Sequence, residues 1–125
     1  MVERINYNAL PKIAGPYVHA TKHDRILYVS GLTAFGTPAQ SEGLPEQCAQ
    51  ILSQISSILE FEQRRKQDII KLTIFVRDIT LLTTIREQLF EYYEGFLPAC
   101  SLVEVSKLIH PDLLIEIETI VALDD

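Results

Sequence analysis

The chain has 125 residues, 47% of them hydrophobic, and a net charge of −6 from 11 basic and 17 acidic side chains. That length fits one domain over 1–125 with a packed core. The acidic balance argues against a nucleic-acid binder, whose affinity rests on a basic surface.

The first residues, MVERINYNALPKIAGPY, contain no apolar stretch of signal-peptide type. No apolar run reaches the length of a membrane span. Tyr17 to Thr21 reads as a short strand, Lys22-His23-Asp24 as a polar turn, and Arg25 to Ser30 as a β-rich run stopping at Gly31. Glycines, Pro38 and Ser41 mark 32–43 as a loop. Pro45 suits the first turn of a helix, and Cys48, Ile51, Leu52, Ile55, Ile58 and Leu59 follow at helical spacing. That helix ends in the charged run Glu62 to Lys66.

Ile69 to Val76 is a strand apolar on both faces. Asp78 and Thr80 offer caps for a second helix. Its stripe is Leu82, Ile85, Leu89, Tyr92 and Tyr93, and Gly95 is its stop. The two tyrosines read as core. Ala99 to Val105 and Leu113 to Leu123 are the last strands. The predicted order is β-β-α-β-α-β-β, an α+β domain with a mixed sheet. Two amphipathic helices cover one face of such a sheet. Leu72, Ile74 and Val76 oppose Thr73 and Phe75, and Leu27 and Val29 oppose Ile26 and Tyr28, so the second face also needs cover. An oligomer packing sheet on sheet would supply it.

The last strand places Ile115, Ile117, Thr119, Val121 and Leu123 on one face and Leu114, Glu116, Glu118, Ile120 and Ala122 on the other. An ionised carboxylate is costly to bury unless paired or hydrogen-bonded. Either the two glutamates face water, or one of them is an acid, a base or a water-holding group in a polar cleft. Cys48 and Cys100 make no disulfide framework and suit a reducing cytoplasm. His23 and His110 read as turn residues, and no Cys/His spacing has zinc-site form. No glycine-rich phosphate loop follows a strand, and no cofactor is expected.

Four stretches, AGPYVHA (14–20), LYVSG (27–31), PACSLVEV (98–105) and IEIETI (115–120), with IIKLTIFVRDI (69–79) between them, carry a resemblance. In order, spacing and length the chain resembles the reactive-intermediate deaminase (Rid, or YjgF-type) family. The resemblance implies a chorismate-mutase-like subunit with two helices on one face. It implies a homotrimer with a central barrel and small-molecule clefts between subunits. The implied activity is hydrolysis of reactive enamines and imines to a keto acid and ammonia. Some relatives carry a ribonuclease label, which the acidic charge does not favour.

By that resemblance Tyr17 lines the cleft, Ser30 and Gly31 contribute polar backbone, Glu116 holds the attacking water or moves protons, and Glu118 is a more structural acid. His19 and Leu32 stand where the family commonly has glutamine, and Arg86 where it has asparagine. The larger departure is Cys100. Active deaminases have an arginine there that grips the substrate carboxylate. An arginine fork makes two charge-assisted hydrogen bonds, which a thiol cannot replace. Arg86 is the cation expected to substitute, with Lys107 behind it. Cys100 itself reads as a pocket-lining residue, an inert small residue, or a nucleophile with His19 as base. Two functions follow: a divergent imine or enamine hydrolase, or a non-catalytic member that binds a metabolite or a partner through the same cleft.

Overall fold

The computed structural model describes residues 1–124. Strands β1 (Glu3–Ile5), β2 (Ala20–His23) and β3 (Ile26–Leu32) precede helix α1 (Leu44–Phe61). Strand β4 (Ile69–Val76), helix α2 (Leu82–Tyr93), β5 (Ala99–Glu104) and β6 (Ile115–Ala122) complete the chain. The sheet order is β1-β2-β3-β6-β4-β5, with β4 and β5 parallel and every other pair antiparallel. This is the expected α+β architecture with one strand more. The extra strand is β1, three residues on the sheet edge whose polar sequence carries no strand pattern.

The first hairpin differs in detail from the sequence reading. Lys22 and His23 belong to β2, and the turn is Asp24-Arg25, with φ of 49° and 63°. Two consecutive positive φ values are what a two-residue turn needs to match the strand twist. Strand β3 runs on through Gly31 to Leu32, with a register irregularity against β6 between Val29 and Leu32. The loop after it contains a short 3-10 turn at Pro38–Ser41, capped by the Thr37 hydroxyl.

All six residues of the predicted α1 stripe are buried. The helix closes with Gln63 in the left-handed region. There Arg64 N–H donates to the Leu59 carbonyl at 2.8 Å and Gln63 N–H to that of Glu60 at 3.1 Å, a double closure of the last turn. Asp78 accepts from Thr80 N–H and caps the 3-10 turn Ile79–Leu81 that leads into α2. Glu94 and Gly95, both at positive φ, end that helix.

One core lies between the helices and one sheet face. From the sheet it takes Leu27, Val29, Leu72, Ile74, Val76, Ile115, Ile117 and Val121, as alternation predicts. The other sheet face has no helix on it. In register across it stand Tyr28 with Ile120, and Glu116 with Phe75 with Val103. Tyr28 and Val103 are 46% and 44% exposed. No helix among the described residues is long and apolar enough to cross a membrane.

Candidate functional site

Tyr17 belongs to the loop that climbs from β1 to β2. Its ring folds back over Gly15, where a Cβ would come within 2.6 Å of the ring edge. A side chain at 15 would therefore turn the phenol away. Tyr17 and Gly31 line one cavity of about 320 Å³, together with Lys12, His19, Phe35 and Gln54.

Two tethers hold that loop. The Ser30 hydroxyl donates to the Val18 carbonyl at 2.7 Å, and Ser30 N–H donates to the His19 carbonyl at 2.9 Å. The hydroxyl of Ser30 thus braces the Tyr17 segment. His19 is 4% exposed. Its Nδ1 accepts from Tyr7 N–H at 2.9 Å and its Nε2–H donates to the Pro11 carbonyl at 2.9 Å. Both ring nitrogens are committed to backbone, so His19 is not the base for Cys100.

Glu116 projects from β6 onto the uncovered face, as expected, and reaches across to β3. A Cβ on Gly31 would strike its carboxylate, meeting Cδ at 2.7 Å and Cγ at 3.0 Å. The missing side chain at 31 is therefore the space the Glu116 carboxyl occupies. Burial, and then the neighbouring Glu118 carboxylate, raise the Glu116 pKa above the usual carboxylate range. A carboxyl that keeps its proton closer to neutrality can both take and return one.

Cys100 and Arg86 lie elsewhere. Cys100 pairs in register with Leu72, a residue buried under the helices, so it faces the helix side of the sheet. With Arg86, Leu89, Phe90, Tyr93 and Leu102 it lines a second cavity of about 420 Å³, between α2 and the β5 edge. Burial raises the Cys100 thiol pKa, opposed in part by Lys71. The thiol is therefore neutral near neutral pH, which disfavours a nucleophile. Lys107 lines neither cavity. Within one chain, then, Tyr17 and Gly31 share a cavity, Glu116 lies against Gly31, and Ser30 braces the Tyr17 segment. The structure brings Arg86 and Cys100 together on the opposite face.

Among the residues of the first cavity that sequence reasoning missed are Gln54 and Lys12. Gln54 is buried and its amide donates to the Thr33 carbonyl at 3.0 Å. Its position on the apolar stripe, three after Ile51 and four before Ile58, was the available signal. Lys12 is a single lysine in a loop, and no pattern marks it.

The Endoribonuclease L-PSP family model matches residues 7–123. A RutC family protein of Pyrococcus horikoshii is 35% identical over 124 residues, covering 96% of this chain and 97% of that protein. A 2-iminobutanoate/2-iminopropanoate deaminase of Salmonella typhimurium is 33% identical over 115 residues, covering 88% and 89%. A solved structure of a conserved Rid-family protein from Yersinia pestis superposes with a TM-score of 0.85 at 31% identity, covering 98% of this chain and 99% of that one. Sequence similarity spanning nearly the whole chain and the same fold agree, and the chain belongs to the Endoribonuclease L-PSP family, the Rid or YjgF-type proteins.

Proposed function

We propose that this protein is a divergent hydrolase of 2-imino acids or their enamines, working as a homotrimer with its clefts between subunits. The carrying observation is the Glu116 carboxyl, seated against the bare backbone of Gly31 with its pKa raised. In the proposed reaction Glu116 takes a proton from water as the water oxygen bonds to the imine carbon. The proton returns to nitrogen, giving a carbinolamine; Glu116 then passes the carbinolamine hydroxyl proton to nitrogen as the C–N bond breaks and the C=O forms, and a keto acid and ammonia leave. Tyr17 and the Gly31 backbone shape the cleft beside that carboxyl, and Arg86 holds the substrate carboxylate in place of the absent arginine.

The placement of these groups supports the subunit interface. Glu116 and Arg86 are on opposite faces of one sheet, so one small substrate reaches both only if a second copy supplies one of them. The uncovered face, with Tyr28, Phe75, Val103 and Ile120 among the glutamates, is the surface that copies would share. Two free cysteines suit a reducing cytoplasm.

The second reading is a non-catalytic metabolite-binding member. Cys100 favours it, because a neutral thiol grips no carboxylate. A coupled assay on 2-iminopropanoate decides between them. Turnover by the wild type that Glu116→Ala abolishes supports the hydrolase. A wild type silent on this imine and on the imines of larger apolar 2-oxo acids, with activity gained in Cys100→Arg, supports the binding module. A monomer mass in solution overturns the interfacial site.

A further inference from the structure

We infer that the cavity between α2 and the β5 edge receives the side chain of a 2-imino or 2-oxo acid with a bulky apolar group, the ligand's oxygens meeting Arg86 and the Tyr93 hydroxyl. The preferred substrates would then derive from large apolar amino acids, not from three-carbon ones. The inference rests on the hydrolase reading above for the chemical class of the ligand.

Four observations carry it. The cavity, at about 420 Å³, is within the roughly 300–1,000 Å³ range of small-molecule pockets. Leu82, Leu89, Phe90, Leu97, Pro98 and Leu102 make most of its wall, and no acidic residue lines it. Arg86 is its one cation and forms no hydrogen bond or ion pair among the described residues. An apolar wall with a single unpaired guanidinium complements an amphipathic monoanion.

The fourth observation is Tyr93. It also lines the cavity, is only 5% exposed, and its hydroxyl is buried with no hydrogen-bond partner. Buried hydroxyls nearly always find a partner, and an unpaired one is a standing cost to the fold. A ligand oxygen that reaches this hydroxyl as the cavity wall adjusts would remove that cost.

Cys100 fits the same account. Where the resemblance implies a long arginine, this chain has a short thiol on the cavity wall. The change that removes one carboxylate clamp also opens room beside Leu102. Lost grip and gained volume then have one cause.

Calorimetric titration of the purified protein with pyruvate, 2-oxobutanoate, 4-methyl-2-oxopentanoate and phenylpyruvate tests this. The 4-methyl acid should bind about tenfold or more tighter than pyruvate, from the extra methylene-sized groups buried. Arg86→Ala should weaken every acid by about tenfold. Tyr93→Phe should weaken them about fivefold with an unchanged or higher melting temperature, since a merely structural tyrosine would alter the melt and not the affinity. Cys100→Arg should reverse the preference toward pyruvate. Pyruvate binding as tightly as the larger acids overturns the assignment. So do unchanged affinities in folded Arg86→Ala and Tyr93→Phe. If the acids bind in the expected order and no imine is hydrolysed, the hydrolase reading fails and the pocket stands. If imines are hydrolysed equally whatever their side chain, the pocket fails alone.

Discussion

The Glu116 carboxyl lies against the backbone of Gly31, in the space that any side chain at 31 would need. Gly31 is not at positive φ, so alanine suits its backbone. The three nearest obstacles are all atoms of the Glu116 side chain, which can swing aside. Gly31→Ala should therefore change stability by no more than about 1 kcal/mol. It should still displace the carboxyl and lower kcat/KM for imine hydrolysis about a hundredfold, the lower range of a positioned acid or base. Urea melts and steady-state rates on the same preparation check both halves. A fully active Gly31→Ala would remove Glu116 from the chemistry.

The raised pKa of Glu116 has a consequence for stability. The folded state holds this proton to higher pH than the unfolded chain does. Between the unfolded and folded pKa values the native state binds more protons, so this group's contribution to stability falls as pH rises through that window. It stays low above the folded pKa. Glu116→Gln removes the titration. Its stability relative to wild type should improve from about pH 4, the ordinary carboxylate value, upward to a plateau. Its activity should be lost throughout. Denaturant melts at a series of pH values would show the two curves separating. Parallel curves would mean that the carboxyl is not perturbed by the fold.

Periodicity made most of this fold legible, because helix and strand spacing report which side chains meet the core. The stripe from Cys48 to Leu59 and the alternation of Ile115, Ile117, Thr119 and Val121 are buried as read. Strand β1 was invisible because three residues with an exposed pattern carry no period. Asp24 reads as turn, but Arg25 reads as strand because it is not a residue that marks turns, although it adopts the conformation glycine favours. At the candidate site, the motif residues Tyr17 and Gly31 line one cavity and Glu116 lies against Gly31. What spacing could not convey was which sheet face Cys100 would take. That depends on β5 running parallel to β4 with Cys100 beside Leu72, a tertiary fact.

Gln47 is fully buried on α1 and acts as a clamp between distant loops. Its amide nitrogen donates to the carbonyls of Gln40, Glu42 and Asp112 at 3.1, 3.1 and 2.8 Å. Its amide oxygen accepts from Leu114 N–H at 2.9 Å. Removal leaves several backbone groups unsatisfied at once. Gln47→Ala should cost about 3–5 kcal/mol, the range of a broken buried network. Gln47→Glu keeps the acceptor for Leu114 and turns a carboxylate on three carbonyls. It should be at least as damaging near neutral pH and recover partly on acidification, as the carboxyl protonates and can donate. Chemical denaturation at two pH values separates the variants. A loss under about 1 kcal/mol in Gln47→Ala would show that water replaces the clamp.

His19 joins the N-terminal segment to the sheet, and through it the Tyr17 loop. Besides its two backbone hydrogen bonds, its ring stacks on Tyr7 with centroids 6.0 Å apart. Tyr7 in turn donates to Glu62 at 2.8 Å, and Glu62 pairs with Lys22 at 2.7 Å. His19→Ala removes one acceptor and one donor from a buried position and should cost about 2–4 kcal/mol. Glutamine carries both a donor and an acceptor at its tip, so His19→Gln should lose only about 1 kcal/mol. Limited proteolysis should cut the first dozen residues faster in the alanine variant than in the glutamine one. Cys100 provides the control. Its alkylation rate by iodoacetamide should be the same in wild type and His19→Gln, because the imidazole is occupied by Tyr7 and Pro11. A slower rate in the variant would reinstate His19 as the base of a reactive thiol, and with it the nucleophile reading of Cys100.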